Sequence, residues 1–192
     1  MVDNFNLIKD LLVFESDDTF YDLQVIRRGK DHPDMPAANR TITSYYICKA
    51  DSLDILKDEI VKLCGLFGAR AYINLAPRSI RKVSLLQMAF LSQRIYDGDF
   101  KKIWKSWSTC TGKAKSTNPR WVVDIDTKDM DFVSAIAEEI NELQPQGAKI
   151  VATIPTRSGY HLITTPFRLD TFKANHSDID VHKNNPTILY VP

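Results

Sequence analysis

A short apolar segment with aspartates at alternate positions constrains this chain most. It reads Trp-Val-Val-Asp-Ile-Asp over residues 121–126. Because successive side chains of a strand point to opposite faces, Asp124 and Asp126 share one face, roughly 6–7 Å apart along the chain. Val123 and Ile125 then point into a core. Two carboxylates on one rigid face can hold a divalent metal together with substrate phosphates. The alternative is a solvated strand end whose aspartates face water.

The composition is that of an ordinary globular protein. The 192 residues are 44% hydrophobic and 26% charged, enough for one sizeable core or two small modules that share one. There is no apolar run of about 18 residues and no secretion signal at the first residues, so we expect a cytoplasmic protein without membrane contact. Cys48, Cys64 and Cys110 are too widely spaced for a zinc site or a disulfide framework, so no zinc is expected.

The charge is distributed unevenly along the chain. Residues 101–120 contain six of the 25 basic residues and none of the 24 acidic ones, so the rest of the chain has a net charge of −5. A basic cluster beside a metal site suits a polyanion. The candidate nucleic-acid contacts are Lys101, Lys102, Lys113 and Lys115. The alternative is a solvated lysine face next to a flexible loop.

Hydrophobic periodicity predicts an N-terminal αβ module over residues 1–119. Helices are predicted at 5–14, 52–67 and 79–96, and strands at 20–28, 41–49 and 69–75. The loop between the first two strands is marked by Gly29, Pro33 and Pro36. Residues 108–119 are polar and basic without a period, which indicates a mobile loop.

The pattern changes at residue 120 and predicts a second module over residues 120–192. Its predicted elements are strand 120–126, helix 130–143, strands 149–154 and 160–164, helix 169–175 and strand 187–191. The order β-α-β-β-α-β is that of a split βαβ sheet with helices on one face, in which the first strand is central. We therefore predict an α+β fold in which the N-terminal αβ module packs on a C-terminal RRM-like sheet as one compact unit.

Two further polar motifs follow the aspartate pair. Ser-Gly-Tyr-His at 158–161 lies at a turn that enters a strand, where Gly159 would permit close backbone approach. Asp-Ile-Asp-Val-His-Lys at 178–183 precedes the final apolar strand. If this segment is extended, Asp178 and Asp180 face the same way, so periodicity does not choose between them.

The three motifs together resemble the archaeo-eukaryotic primase superfamily, also called primase-polymerases. Its members carry D-x-D or D-x-E on a strand, a small residue followed two positions later by His, and a third acidic residue ahead of a final strand. The closing residues 177–192 also look like the last motif of the primase catalytic subunit. The resemblance covers residues 120–192 well. It covers the first half only loosely, through its strand-helix-strand pattern and residues 69–74.

The resemblance implies a template-directed nucleotidyltransferase, a DNA primase or polymerase, that uses two Mg²⁺ or Mn²⁺ ions. The implied metal ligands and catalytic residues are Asp124, Asp126 and Asp178. Asp178 is preferred to Asp180 because its spacing of five residues to Lys183 matches the family pattern.

The same resemblance implies contacts to an incoming NTP or dNTP. The implied nucleotide-binding residues are Arg157, Ser158, Gly159, His161 and Lys183. His161 and Ser158 would donate hydrogen bonds to the phosphates, and the two basic side chains would supply charge. Arg70 and Tyr72 could reach the sugar or phosphate from the first module. The structural alternatives are a satisfied histidine at the edge of the core and exposed basic side chains.

One expected partner is a single-stranded template or primer. This sequence contains no priming or helicase module and no zinc knuckle, so a helicase or accessory priming subunit is a second expected partner. The alternative function is a catalytically degenerate relative that binds nucleic acid or a replisome partner through residues 101–120. The presence of all three acidic positions and the histidine favours the enzyme. A replication-initiator nickase is disfavoured because it requires a His-hydrophobic-His pair, which none of the four histidines forms.

Overall fold

The protein folds into two antiparallel sheets covered by six helices in the described part of the chain. The computed structural model describes residues 1–34, 38–101 and 103–192. The helices are α1 (Phe5–Lys9), α2 (Asp51–Phe67), α3 (Ile80–Tyr96), α4 (Ser106–Lys113), α5 (Met130–Glu142) and α6 (Leu169–Asn175). The strands are β1 (Val2–Asp3), β2 (Thr19–Arg27), β3 (Arg40–Ile47), β4 (Arg70–Ile73), β5 (Arg78–Ser79), β6 (Trp121–Ile125), β7 (Ile150–Pro155), β8 (Tyr160–Thr164), β9 (Asp180–His182) and β10 (Thr187–Val191).

The first sheet has the strand order β1-β10-β4-β2-β3, with β5 paired to one end of β2. Helices α1 and α2 pack on one of its faces because both present apolar side chains at helical spacing. The buried residues of this layer include Ile8, Leu23, Leu53, Ile60, Ile73 and Leu189. Helix α2 ends where Gly68, the residue directly after the predicted helix 52–67, takes the left-handed conformation at φ 55°.

The second sheet has the strand order β7-β8-β6-β9, so β6 is central, as predicted. Helix α5 starts at Asp129, whose carboxylate accepts hydrogen bonds from the backbone amides of Asp131 and Phe132. The apolar face of α5 packs on one face of this sheet and covers β6. The buried residues of this core include Val123, Ile125, Val133, Ile136, Ile140 and Leu162.

The last strand corrects the predicted boundary between the modules. The strand expected at 187–191 forms, but it pairs with β4 in the first sheet, and β9 takes its place beside β6. All five residues of β10 are buried, and a strand that is buried on both faces requires cover on both sides. The chain therefore returns to the first module after β9, and the module predicted at 120–192 does not form one contiguous sheet.

The segment predicted as a mobile loop at 108–119 is also different. Residues 106–113 form α4, and Cys110 and Ala114 pack in a third small core with Phe20 and Val83. The fully buried positions of this segment are all small residues, which a pattern of large apolar side chains does not mark: Ser106, Cys110, Thr111 and Ala114. Helix α1 is shorter than the helix predicted at 5–14. Pro36 lies outside the described residues.

None of the helices in the described ranges combines the length and the apolar character needed to cross a membrane.

Candidate functional site

The aspartate pair lies at the end of the central strand β6. Val123 and Ile125 are buried against α5, so their neighbours Asp124 and Asp126 point to the opposite face. This alternation is the one that the sequence predicts. Asp124 is half-buried and Asp126 is exposed, so both carboxylates remain accessible.

A third carboxylate is brought next to this pair by the pairing of β9 with β6. Asp180 is the register partner of Asp124, and side chains directly opposite each other on antiparallel strands have Cβ atoms about 4.5–5.5 Å apart on the same face. Asp178 lies two residues earlier. The register therefore favours Asp180 as the nearest partner of Asp124, whereas the resemblance favours Asp178.

An acidic cavity of about 400 Å³ opens beside these groups. Its wall contains five aspartates and one half-exposed aromatic ring, that of Phe132. The aspartates are Asp124, Asp126, Asp129, Asp178 and Asp180. Asp178 and Asp180 thus face one cavity, as expected for alternate positions of an extended segment. So many carboxylates in one cavity repel each other and favour a cation.

Gly159 sets the spacing between the histidine motif and β6. A Cβ at this position would lie 1.9 Å from the Ile125 carbonyl oxygen and 2.7 Å from the Thr127 backbone nitrogen. The predicted close backbone approach at Gly159 is therefore confirmed. The turn is closed by the Thr156 amide, which donates to the Gly159 carbonyl over 2.8 Å. Beside it, the Ser158 hydroxyl donates to Asp126 over 2.9 Å.

His161 is fixed between two polar partners. It is the register partner of Asp124 on β8, and its Nε2 lies 3.4 Å from the Asp124 carboxylate. Its Nδ1 lies 2.8 Å from the hydroxyl of the buried Thr187. The hydrogen bond from His161 is the largest influence on Asp124 and holds the pKa of that carboxyl below its ordinary value against the opposing effect of burial. The charges of His161, His182 and Lys30 lower the pKa further.

A second, basic cavity of about 710 Å³ lies between the two sheets and shares Asp124 and Asp126 with the first. From the second module it is lined by Arg157, Ser158 and His161. The first module contributes Arg28, Lys30, Arg70 and Tyr72. Asp31 also lines this cavity, and its carboxylate lies 2.7 Å from the Arg70 guanidinium in a salt bridge.

The structure brings most of the sequence-predicted site residues together, including Arg70 and Tyr72 from the first module. Lys183 is different: its ammonium lies 5.0 Å from the centre of the Trp121 ring, a cation–π contact, and it is not among the described residues that line either cavity.

None of the described residues in the basic segment 101–120 lines either of the two cavities. Lys101, Lys113 and Lys115 are exposed, and none of them is among the described residues that line either cavity. The Lys113 ammonium lies 5.4 Å from the centre of the Phe90 ring. Lys102 lies outside the described residues. Nucleic-acid binding by these lysines stays a prediction.

Arg28 and Lys30 are the site residues that sequence reasoning missed. They follow the end of β2, about 100 residues before the aspartate pair, and only the packing of the two sheets brings them near it. For the third metal ligand the sequence resemblance favours Asp178, and only the pairing of β9 with β6 places Asp180 opposite Asp124. A basic pair at a strand end, Arg27-Arg28, was the available signal.

The donor set of the acidic cavity fits hard divalent cations. Asp124, Asp126 and Asp180 offer oxygen ligands, which Mg²⁺ and Mn²⁺ prefer. Within the described residues no group of three or more His, Cys, Asp and Glu side chains is arranged so that it could hold a metal ion as it stands. Cys48, Cys64 and Cys110 lie at unrelated places and are free thiols.

Comparison with known proteins gives no relative: no family model, no curated protein and no solved structure matches this chain.

Proposed function

We propose that this chain is a template-directed nucleotidyltransferase of the primase-polymerase type. The observation that carries the proposal is that Asp124 and Asp126 form a wall shared by an acidic and a basic cavity. Such a division suits the joining of a nucleoside triphosphate to a 3′-hydroxyl. One side can hold the highly charged triphosphate and the other a hydroxyl-bearing strand end, with the metal-binding carboxylates between them.

The strand order of the second sheet supports the proposal. Elements β6-α5-β7-β8-α6-β9 follow the order β-α-β-β-α-β, and the spatial order β7-β8-β6-β9 is that of a split βαβ unit. We therefore interpret this sheet as an RRM-like palm whose last strand is β9. On this interpretation the acidic residues lie on the inner strand β6 and on the neighbouring edge strand β9.

Asp124, Asp126 and Asp180 would hold the two metal ions, with Asp178 close enough to assist. Two bound divalent ions would neutralise the triphosphate and lower the pKa of the attacking hydroxyl. The pKa of Asp124 lies below the ordinary aspartate value, so its carboxylate is ionised at neutral pH and available to a cation. We assign the third ligand to Asp180 rather than Asp178 because Asp180 is the register partner of Asp124.

In the basic cavity Arg28, Lys30, Arg70 and Arg157 offer positive charge to the triphosphate of an incoming NTP or dNTP. Ser158 and His161 reach the same space and position Asp126 and Asp124 through the hydrogen bond from Ser158 and the 3.4 Å contact of His161 with Asp124 described above. The 3′-oxygen forms a bond to the α-phosphorus, the bond to the pyrophosphate oxygen breaks, and the hydroxyl proton leaves to solvent. The departing pyrophosphate remains opposite these basic groups.

Phe132 suits the role of a base platform for the strand end that enters the acidic cavity. Its ring is 40% exposed and lies in a cavity otherwise lined mainly by carboxylates, where a chain of phosphates would be repelled. A terminal nucleotide that offers a base and a 3′-hydroxyl fits this combination better than a triphosphate does. The exposed Lys101, Lys113 and Lys115 would contact the template backbone farther away.

The division of labour between the cavities is tested by the kinetics of Arg157→Ala. A hydrogen bond to a charged group contributes about 1.5–3 kcal/mol, so its loss should raise the KM for nucleotide tenfold or more. The KM for primer–template should change little. The matched control is Lys128→Ala, which removes an exposed charge near the site that neither cavity uses. Loss of primer affinity with an unchanged nucleotide KM would reverse the assignment of the cavities.

The third carboxylate is tested by comparing Asp180→Asn with Asp178→Asn. We expect metal-dependent incorporation to be lost in the first variant and a measurable fraction to be retained in the second. If Asp178→Asn lost more activity than Asp180→Asn, the third ligand would be Asp178, as the spacing in the resembled family implies. Binding of single strands without incorporation under any metal condition would support the degenerate nucleic-acid-binding alternative instead.

A further inference from the structure

Helix α3 has an apolar outer face that nothing in the described chain covers. Eight positions between Leu85 and Tyr96 are exposed, and none of them is charged. They are Leu85, Leu86, Met88, Ala89, Ser92, Gln93, Ile95 and Tyr96. Leu85 is 60% exposed and Met88 is 68% exposed. At 100° per residue these eight positions span about half of the helix circumference.

The inner face of α3 packs on the third small core through apolar side chains. Val83 is buried in that core with Cys110, and Phe90 and Trp107 pack against it. The only charged residue within 85–96 is Arg94, which turns inward to a 2.8 Å salt bridge with Asp99 and lies 5.2 Å from the centre of the Phe90 ring. The outer side of a surface helix normally carries charged residues, and between Leu85 and Tyr96 this one carries none. An exposed, largely apolar face of this kind is typical of a contact surface.

The charges at the two ends of α3 identify the occupant. The exposed Arg81 and Lys82 stand at the start of the helix on the same side as the apolar face, and the exposed Asp97 stands just after its last residue. A second α3 packed in the antiparallel direction would place each basic end against an acidic end. The eight residues of this face carry no positive charge, which the phosphates of a nucleic acid would need.

The apolar stripe and the charged ends share one centre of symmetry. The two-fold axis of an antiparallel pair would pass near residue 90, so that Leu85 of one copy meets Ile95 of the other and Met88 meets Ser92. The small Ala89 would lie near the crossing point, where the two helices approach each other closely. The same axis brings Arg81 and Lys82 to the level of Asp97.

We propose that α3 forms an isologous, antiparallel contact with α3 of a second copy of this chain. None of the described residues that line the two cavities belongs to α3, so the dimer leaves both cavities open. A helix of 17 residues is about 25 Å long, which is short for a stable interface, so the dimer should be a weak one in the micromolar range.

Sedimentation velocity of the full chain over a concentration series tests the contact. Leu85→Lys and Ile95→Lys should each weaken the dimer about 100-fold, because every substitution occurs twice in a two-fold interface and should cost about tenfold at each end. The matched control is Ile55→Lys, an isoleucine on α2 that is even more exposed than Leu85 and Ile95. A chain that stays monomeric up to several hundred micromolar would overturn the proposal and assign this face to another protein.

Charge exchange tests the antiparallel direction. One variant carries Arg81→Glu and Lys82→Glu, and the other carries Asp97→Lys. Each alone should dimerise about tenfold more weakly than the wild-type chain, because like charges meet at both ends. An equimolar mixture should regain the wild-type affinity within about threefold, since every end then meets its opposite. Misfolding cannot produce this recovery. A mixture no stronger than either variant would refute the antiparallel arrangement.

Discussion

Gly159 is the position where a single methyl group should disturb both the fold and the candidate site. A Cβ there would lie 1.9 Å from the Ile125 carbonyl oxygen and 2.8 Å from the Thr127 carbonyl oxygen. Both are backbone atoms, so no side chain can rotate away. The end of β6 would have to move by more than 1 Å away from β8 to reach ordinary contact distances of about 3.4 Å.

The cost of Gly159→Ala follows from this overlap. Forcing an extra methyl group into a packed region typically costs about 1–3 kcal/mol, and we expect the upper end because both partners are backbone. For a chain of this size 1 kcal/mol corresponds to about 2–4 °C, so the midpoint of thermal unfolding should fall by about 6–12 °C. Asp126 follows Ile125 directly, so the same shift should also reduce nucleotide incorporation.

Thermal unfolding followed by circular dichroism measures this effect, with urea unfolding as the second readout. Gly65→Ala is the matched control, since a Cβ at Gly65 meets no atom within 4 Å and the residue lies inside α2. That substitution should stabilise the protein by about 0.5–1 kcal/mol because alanine favours a helix. If Gly159→Ala unfolded at the wild-type temperature, the close approach of β8 to β6 would be wrong.

Three further predictions concern the titrating groups. Above pH 5 the free energy of unfolding should be about 1 kcal/mol higher for the wild-type protein than for Asp124→Asn. The expected difference is small because the Asp124 side chain is about one third exposed and water screens its interactions. The sign follows from the lowered pKa of Asp124: its stabilisation of the fold is complete above the ordinary aspartate pKa of about 3.9 and disappears as the pH falls through the lower pKa of the folded protein. If the difference in unfolding free energy between the two proteins did not change between pH 2 and pH 6, this reasoning would be contradicted. His161→Ala should raise the pKa of Asp124 and move the acid limb of the activity profile to higher pH, and an unmoved limb would show that the two side chains do not interact. A thiol reagent should modify Cys48 rapidly in the native protein and reach Cys64, whose pKa burial raises to about 11, only after unfolding, whereas equal rates would place both at the surface.

The local elements of this fold could be predicted because their signals are local. The alternation in residues 121–125 gave β6, and the apolar spacing along α2 and α5 gave two helices within one or two residues of their ends. Gly159 and Gly68 marked a close contact and a helix end for reasons that belong to glycine alone.

The pairing of distant strands could not be predicted in the same way. Nothing in the composition of residues 187–191 says that they pair with β4 rather than β6, since an apolar strand suits either sheet. The register that places Asp180 opposite Asp124 and the cavity that gathers Arg28 and Lys30 depend on that pairing. Helix α4 was missed because its inward residues are small.

The central claim is that the carboxylates between the two cavities support nucleotidyl transfer. The most direct measurement is incorporation of labelled NTPs and dNTPs on primed and unprimed single-stranded templates, with Mg²⁺, Mn²⁺ or chelator. The control is Asp131→Asn, which removes an exposed carboxylate of α5 that lines neither cavity. We expect metal-dependent incorporation by the wild-type chain and Asp131→Asn, and none by Asp124→Asn or Asp126→Asn. Full incorporation by either of the last two variants, with the fold intact, would contradict the account.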